Sequence, residues 1–379
     1  MTPLPRAPSL TCDIFCRVVD NYGDIGVAWR LAHQLAGEHG ARIRLIVDDI
    51  ASFRKLVPRV VPDSPEQSLY GVTVIAWRDP LALSNTADLV IEAFACKLPG
   101  DYLAQMARRA SPPVWINVEY LSAEAWVEEH HLLPSPHPSL QLTKFYFFPG
   151  FTAGTGGLLR EHDLISRLDS IATPGYIDKI RVLVFSYDHA PLEALCTAMA
   201  QSEHPVVCRV SESGLAESLK HWRASQAEIV PGAAPMLEIE VVPFVPQTDF
   251  DSLLWQHDIL FVRGEDSFVR AQWSAKPFVW HIYSQAENAH MLKLNAFLDL
   301  YCEGLPIEAD TAVRDLWHAW NVPAAEAVGP AWVAFVAQLP TLNGHARRWA
   351  QRLAEMPDLA CSLLSFYRKK AKIQGFAAS

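Results

Sequence analysis

Apolar positions along the chain switch between two periods. Residues 11–19 (TCDIFCRVV) form a short apolar run, the pattern of a buried strand. From Ile25 the apolar residues Trp29, Ala32, Leu35 and Ala36 recur at helical spacing, and Gly40 stops the pattern as a glycine after a helix does. Strand-like runs return at 42–47, 71–77, 87–94 and 114–118, with helical stretches such as 99–109 between them. Strands alternating with helices predict an α/β fold with parallel sheets covered by helices on both faces.

The alternation pauses at 132–138 (LLPSPHP), which reads as a proline-rich loop, and at 147–157 (FFPGFTAGTGG). It restarts with strand runs at 181–186, 206–210, 239–244, 259–262 and 278–281, and helices opening near 191, 212 and 265. Beyond residue 285 the pattern is helical. The final stretch, 358–374, is amphipathic, with Asp358 as a candidate cap and a basic group (Arg368, Lys369, Lys370, Lys372) near its end. The expected organisation is an N-terminal Rossmann-like domain over 1–155, a linker over 156–178, a second Rossmann-like domain over 179–357, and a C-terminal helix over 358–379 packing back on the first domain. Sheets of this kind take ligands outside the carboxyl ends of their strands, and two facing domains predict an interdomain cleft.

Composition narrows the function classes. The chain has 379 residues, 50% hydrophobic and 20% charged, which is the profile of folded domains rather than of disorder. A formal charge of −10 disfavours general nucleic-acid binding, which needs a basic footprint. Seven scattered cysteines without a CxxC pair give no zinc ribbon or dithiol site and predict buried, reduced thiols. No apolar run is long enough for a transmembrane helix and no signal-peptide pattern opens the chain, so the expected location is cytoplasmic, with no membrane partner. Gly154, Gly156 and Gly157 complete neither GxGxxG nor a P-loop, no HExxH or GxSxG occurs, and the acidic pair at 249–251 reads as a helix cap. No metal is expected.

Two short segments carry candidate chemistry. DNYGDIG (20–26) follows the first strand run and opens the first long helix. Gly23 and Gly26 allow close backbone approach, Asp24 is a favoured N-cap type, and Asp20 stands before the turn as a second, uncommitted carboxylate. FVRGEDSF (261–268) repeats the arrangement in the second half. Its helix N-terminus suits a phosphate; Arg263 adds a bidentate donor and Ser267 a hydroxyl, with Gly264 making the turn. Glu265 and Asp266 there suit ribose hydroxyls, the orientation of Arg263, or an acidic first turn. Phe185, Tyr187 and Phe244, at the ends of strand runs, offer faces for a base to stack on, or simple core packing.

Three segments, CRVVDNYGDIGVAWRLAHQL, PGFTAGTGGLLRE and FVRGEDSFVRAQWSAKPFVWHIY, closely resemble the elongation factor P arginine rhamnosyltransferase (EarP) family of bacteria, and the similarity extends over nearly the whole chain. The resemblance implies a glycosyltransferase B fold, with the acceptor bound by the N-terminal domain (1–155) and the nucleotide-sugar mainly by the C-terminal one (179–357), and transfer of rhamnose from TDP-β-L-rhamnose, with inversion, to an arginine of elongation factor P, which then helps ribosomes stalled at polyproline. It implies Asp20 as general base, Asp24 and Glu265 as further catalytic residues, and donor contacts from Tyr22, Gly23, Phe185, Tyr187, Phe244, Gln247, Arg263, Gly264, Glu265, Asp266 and Ser267. No cofactor is implied beyond the donor substrate. Two alternatives stay open on the sequence: a B-fold glycosyltransferase with a lipid or small-molecule acceptor, and a non-catalytic protein that binds a nucleotide-sugar or elongation factor P.

Overall fold

The apolar runs become strands of two sheets in a computed structural model, which describes residues 10–20, 22–81, 83–169, 179–212, 215–226, 236–322 and 324–373. The chain divides into two compact units, one within Met1–His162 and Ala354–Ser379, the other Asp163–Leu353. The boundaries therefore fall at 162/163 and 353/354. Much of the stretch expected as a linker, 170–178, lies outside the described residues.

The first unit holds eight strands: β1 (Thr11–Cys16), β2 (Arg42–Val47), β3 (Glu66–Leu69), β4 (Val72–Ala76), β5 (Leu89–Ala93), β6 (Val114–Val118), β7 (Pro134–Pro136) and β8 (Thr143–Phe147). Their order is β3-β4-β2-β1-β5-β6-β8-β7. The six inner strands are parallel, while β3 and β7 pair antiparallel at the two edges. β1, β5 and β6 are buried almost throughout, so they read as continuous apolar runs. The edge strands were illegible for the opposite reason. β7 is three residues of a segment expected to be a loop, and prolines are tolerated there because an edge strand leaves part of its ladder unpaired.

The second unit is a five-stranded, fully parallel sheet of β9 (Ile180–Val184), β10 (Val206–Ser211), β11 (Leu237–Val242), β12 (Ile259–Arg263) and β13 (Phe278–His281), in the order β11-β10-β9-β12-β13. In both sheets the strand order reverses beside the first strand, at β1/β5 and at β9/β12. That reversal opens a crevice at the carboxyl edge.

The glycine-rich stretch at 150–157 serves the first unit's packing. Gly157 is in the left-handed region (φ 75°), and a Cβ there would lie 2.3 Å from the carbonyl oxygen of Pro357. That close approach lets Leu359 N–H donate to the carbonyl of Leu158 at 2.9 Å, seating the helix Leu359–Ile373 in the first unit. Asp358 caps this helix, accepting the N–H of Cys361 at 2.9 Å. Six cysteines are buried and Cys361 is exposed. Among the described residues no helix is long and apolar enough to cross a membrane.

Gly157→Ala is expected to destabilise the protein by roughly 1–3 kcal/mol, since it combines an unfavourable φ with a backbone collision. A lowered unfolding midpoint in urea, against wild type, is the check.

Candidate active site

Each unit gathers candidate residues at the carboxyl edge of its sheet. In the first, β1 ends at Cys16 and the chain turns through Asp20 into the helix Gly23–Gly37. Asp24 is not the N-cap. Tyr22 holds that position without a side-chain cap bond, and Asp24 lies inside the first turn, 2% exposed. Its Oδ2 accepts the N–H groups of Val19 at 2.7 Å and Asp20 at 2.9 Å. The carboxylate thus reaches back over the turn and holds the segment that carries Asp20. The turn closes further through Gly23 N–H to the Asp20 carbonyl at 2.6 Å. Asp20 Oδ2 lies 2.6 Å from where a Cβ on Gly23 would stand, so only glycine leaves room for that carboxylate. The Tyr22 hydroxyl accepts from Lys55 Nζ at 2.9 Å. Tyr22 and Gly23, which the resemblance groups with the donor contacts, lie here beside Asp20.

In the second unit the remaining candidates converge from three segments. Phe185 and Tyr187 follow β9, Phe244 and Gln247 follow β11, and 263–267 join β12 to the helix Asp266–Trp273. The Arg263 guanidinium lies 4.9 Å from the Phe185 ring centroid and 4.8 Å from that of Tyr187. Two ring faces therefore orient one cation. Phe185 also meets Phe244 at 6.4 Å and Phe250 at 5.3 Å between centroids. Trp280 Nε1 donates to the carbonyl of Gly264 at 2.9 Å, fixing the turn.

The acidic residues of this turn are held by cations. Lys293 Nζ donates to Glu265 Oε1 at 3.0 Å. Asp266 Oδ2 accepts Gln247 Nε2 at 2.8 Å and Arg270 Nε at 3.0 Å. Arg270 also donates to Asp251 at 2.8 Å, so the acidic pair at 249–251, read from sequence as a cap, supplies instead a buried ion pair. The Ser267 hydroxyl donates to the carbonyl of Arg263. Sequence reasoning missed Lys293, which sits in a helix without a motif. It also missed Arg270, whose i,i+4 spacing from Asp266 was a usable signal.

His281, at the end of β13, is a third missed residue of this wall. Its Nδ1 accepts the N–H of Tyr187 at 3.3 Å, and its ring meets Tyr187 edge-on at 5.2 Å. Burial, reinforced by the charges of His189, Arg263 and His290, pushes its pKa down to about 3. Among the described residues, the three potential metal ligands that come together are His39, Asp358 and Cys361, none of them among the catalytic or donor-binding candidates.

Two mainly parallel sheets with ligand-type residues at their carboxyl edges are the architecture of a glycosyltransferase of the B fold, a class that the solved structures below share. Residues 12–368 match the family model described as Elongation-Factor P (EF-P) rhamnosyltransferase EarP, and the chain belongs to that family. A protein-arginine rhamnosyltransferase of Pseudomonas putida is 45% identical over 374 residues, covering 94% of this chain and 98% of that protein. One of Pseudomonas aeruginosa is 42% identical, with the same coverage of 94% and 98%. A solved structure, reported as the basis for EarP-mediated arginine glycosylation of translation elongation factor EF-P, superposes with a TM-score of 0.63 at 33% identity, covering 95% of this chain and 99% of that one. MurG of Acinetobacter baumannii shares the fold at a TM-score of 0.55 and 11% identity, covering 96% of this chain and 100% of that one.

Neutral His281 implies a pH signature. Below its ordinary pKa of about 6.5 the unfolded chain takes up a proton that the folded chain refuses, so stability falls from there down to about pH 3. A His281→Gln variant is expected to show a shallower loss of melting temperature between pH 7 and pH 4 than wild type.

Proposed function

We propose that this chain transfers L-rhamnose from TDP-β-L-rhamnose to an arginine side chain of translation elongation factor P, with inversion at the anomeric carbon and without a metal. The family match and the printed activities of the relatives support the reaction class. The observation that carries the assignment to particular residues is the Asp20 turn, where one carboxylate is held in place by a second, buried one.

A guanidinium has a pKa above ~12 and is a poor nucleophile while its charge is delocalised. A carboxylate does not strip that proton at neutral pH. It binds the guanidinium by charge-assisted hydrogen bonds and takes the proton as the C–N bond forms, when the nitrogen becomes acidic. Asp24 is already occupied by two backbone N–H groups, so it acts as a positioning residue, and Asp20 serves as clamp and proton acceptor. Such alignment of two reactants is worth roughly 7–11 kcal/mol.

On the donor side, Arg263 carries the charge that meets the leaving diphosphate, its guanidinium pre-oriented over Phe185 and Tyr187. The helix N-terminus at Asp266 adds backbone N–H groups and a positive dipole end. With Lys293 on Glu265 and Arg270 on Asp266, these acids are neutralised locally and do not repel the diphosphate.

Incubation with TDP-rhamnose and elongation factor P is expected to add one deoxyhexose to a single arginine, read by mass spectrometry of the factor. No mass shift would sink the assignment. Asp20→Asn is expected to lower turnover by about 10²–10⁴-fold while leaving TDP affinity within twofold. Arg263→Ala is expected to weaken TDP by at least about tenfold in calorimetry, the loss of a charge-assisted contact.

A further inference from the structure

Two bridges tie the helix Gln247–Trp255 to the helix Asp266–Trp273, which opens at the turn of 263–267. Gln247 Nε2 donates to Asp266 Oδ2 at 2.8 Å. One turn further along both helices, Arg270 Nη1 donates to Asp251 Oδ1 at 2.8 Å. The bridges are themselves joined, because Arg270 Nε donates to Asp266 Oδ2 at 3.0 Å. Gln247, Asp251 and Arg270 are all buried. One guanidinium thus spans a carboxylate at the turn and a second carboxylate behind it.

Asp251 is held from its other side as well. Its Oδ2 pairs with Arg167 Nη2 at 3.8 Å, and Arg167 is placed by Asp163 Oδ2 at 3.3 Å and by the Trp255 ring at 5.4 Å. Charge therefore alternates in sign from Asp163 through Arg167, Asp251 and Arg270 to Asp266. A buried carboxylate between two guanidiniums keeps its charge and its orientation, and it fixes the guanidinium it holds. Phe250, beside Asp251 on the same helix, meets the Phe185 ring over which Arg263 lies. The helix Gln247–Trp255 thus braces both the cationic and the acidic side of the turn.

We propose that Asp251 is a positioning residue for the nucleotide-sugar: without touching the donor, it locks Arg270 in the orientation that neutralises Asp266 and fixes that carboxylate beside the diphosphate. The inference rests on the donor site proposed above and deepens it by naming a residue that sets donor affinity from behind the site. Without Asp251 the buried guanidinium loses its partner on the Nη1 side and turns to find another. Asp266 is then left with its full charge toward the diphosphate. Coulomb's law alone predicts the opposite sign, since deleting an acid near a bound anion tightens it. A weakened anion in an Asp251 variant therefore reports geometry and not net charge.

Asp251→Ala is expected to raise the calorimetric Kd for TDP and the KM for TDP-rhamnose by about tenfold, with kcat and the KM for elongation factor P within about twofold of wild type. Asp251→Asn, whose amide oxygen still accepts from Arg270, is expected to recover most of that loss, to within about threefold of wild type. In an Asp266→Asn background, Asp251→Ala is expected to cost no more than about twofold in TDP affinity, because its effect runs through Asp266. Arg270→Lys keeps the charge but does not span both carboxylates, so it is expected to weaken TDP by about tenfold as well. It carries the same test, in both backgrounds, if a collapsed melting temperature shows Asp251→Ala to be unfolded. Unchanged or tightened TDP in the folded variants, or a tenfold loss that persists with Asp266→Asn, overturns the positioning role. A wild-type protein that does not bind TDP overturns the donor site itself, and this assignment with it.

Discussion

Two hydrogen bonds to one buried carboxylate, from the N–H groups of Val19 and Asp20 to Asp24, hold the turn between β1 and its helix. A carboxylate that is 2% exposed is tolerable only when its lone pairs are satisfied, since an unpaired buried charge costs several kcal/mol. Satisfying Asp24 from the backbone of its own turn satisfies two N–H groups that β1 no longer pairs, and it draws Asp20 over Gly23. Without those bonds Asp20 would be one more acidic residue on a mobile loop.

The same solution recurs at other turns and strands. Glu92 anchors the left-handed loop at 94–97, and Asp13 takes a bidentate Arg44 at 2.6 Å together with the Tyr102 hydroxyl. Asp258 binds the N–H and guanidinium of Arg181 at the amino end of β9. Breaking such a pair by removing one partner is costly, so each one makes its local conformation stiff rather than merely favoured. Charge is thereby sorted by place. The chain carries −10 in total, yet the second unit's turn brings Arg263, Arg270 and Lys293 around two acids. Net charge, a sum over the surface, could not report that arrangement.

Much of this was legible in the residues. The continuous apolar runs of β1, β5, β9 and β12 announce buried parallel strands, because both of their faces are covered. DNYGDIG and FVRGEDSF stand at strand-to-helix turns, and strand-to-helix turns are where such sheets bind ligands. The edge strands β3 and β7 were lost, being short and partly polar. Lys293 and His281 were lost because their partners, Glu265 and Tyr187, are 28 and 94 residues distant.

By itself, then, the sequence determined the α/β class, the order of most elements, the strand-to-helix turns to which the chemistry is assigned in the proposal, and the family. Local periodicity and short-range turn residues encode those features. Only the tertiary structure decided which carboxylate is buried and committed to the backbone of the turn. As an isolated residue type, Asp24 reads equally as a cap or as an acid. Its burial and its bonds to Val19 and Asp20 make it the anchor of Asp20. Likewise Arg263 is a cation in any reading, but its seat over Phe185 and Tyr187 joins segments nearly eighty residues apart. Hydrogen bonds and ring contacts of that range exist only once the strands have paired, and no local pattern records them.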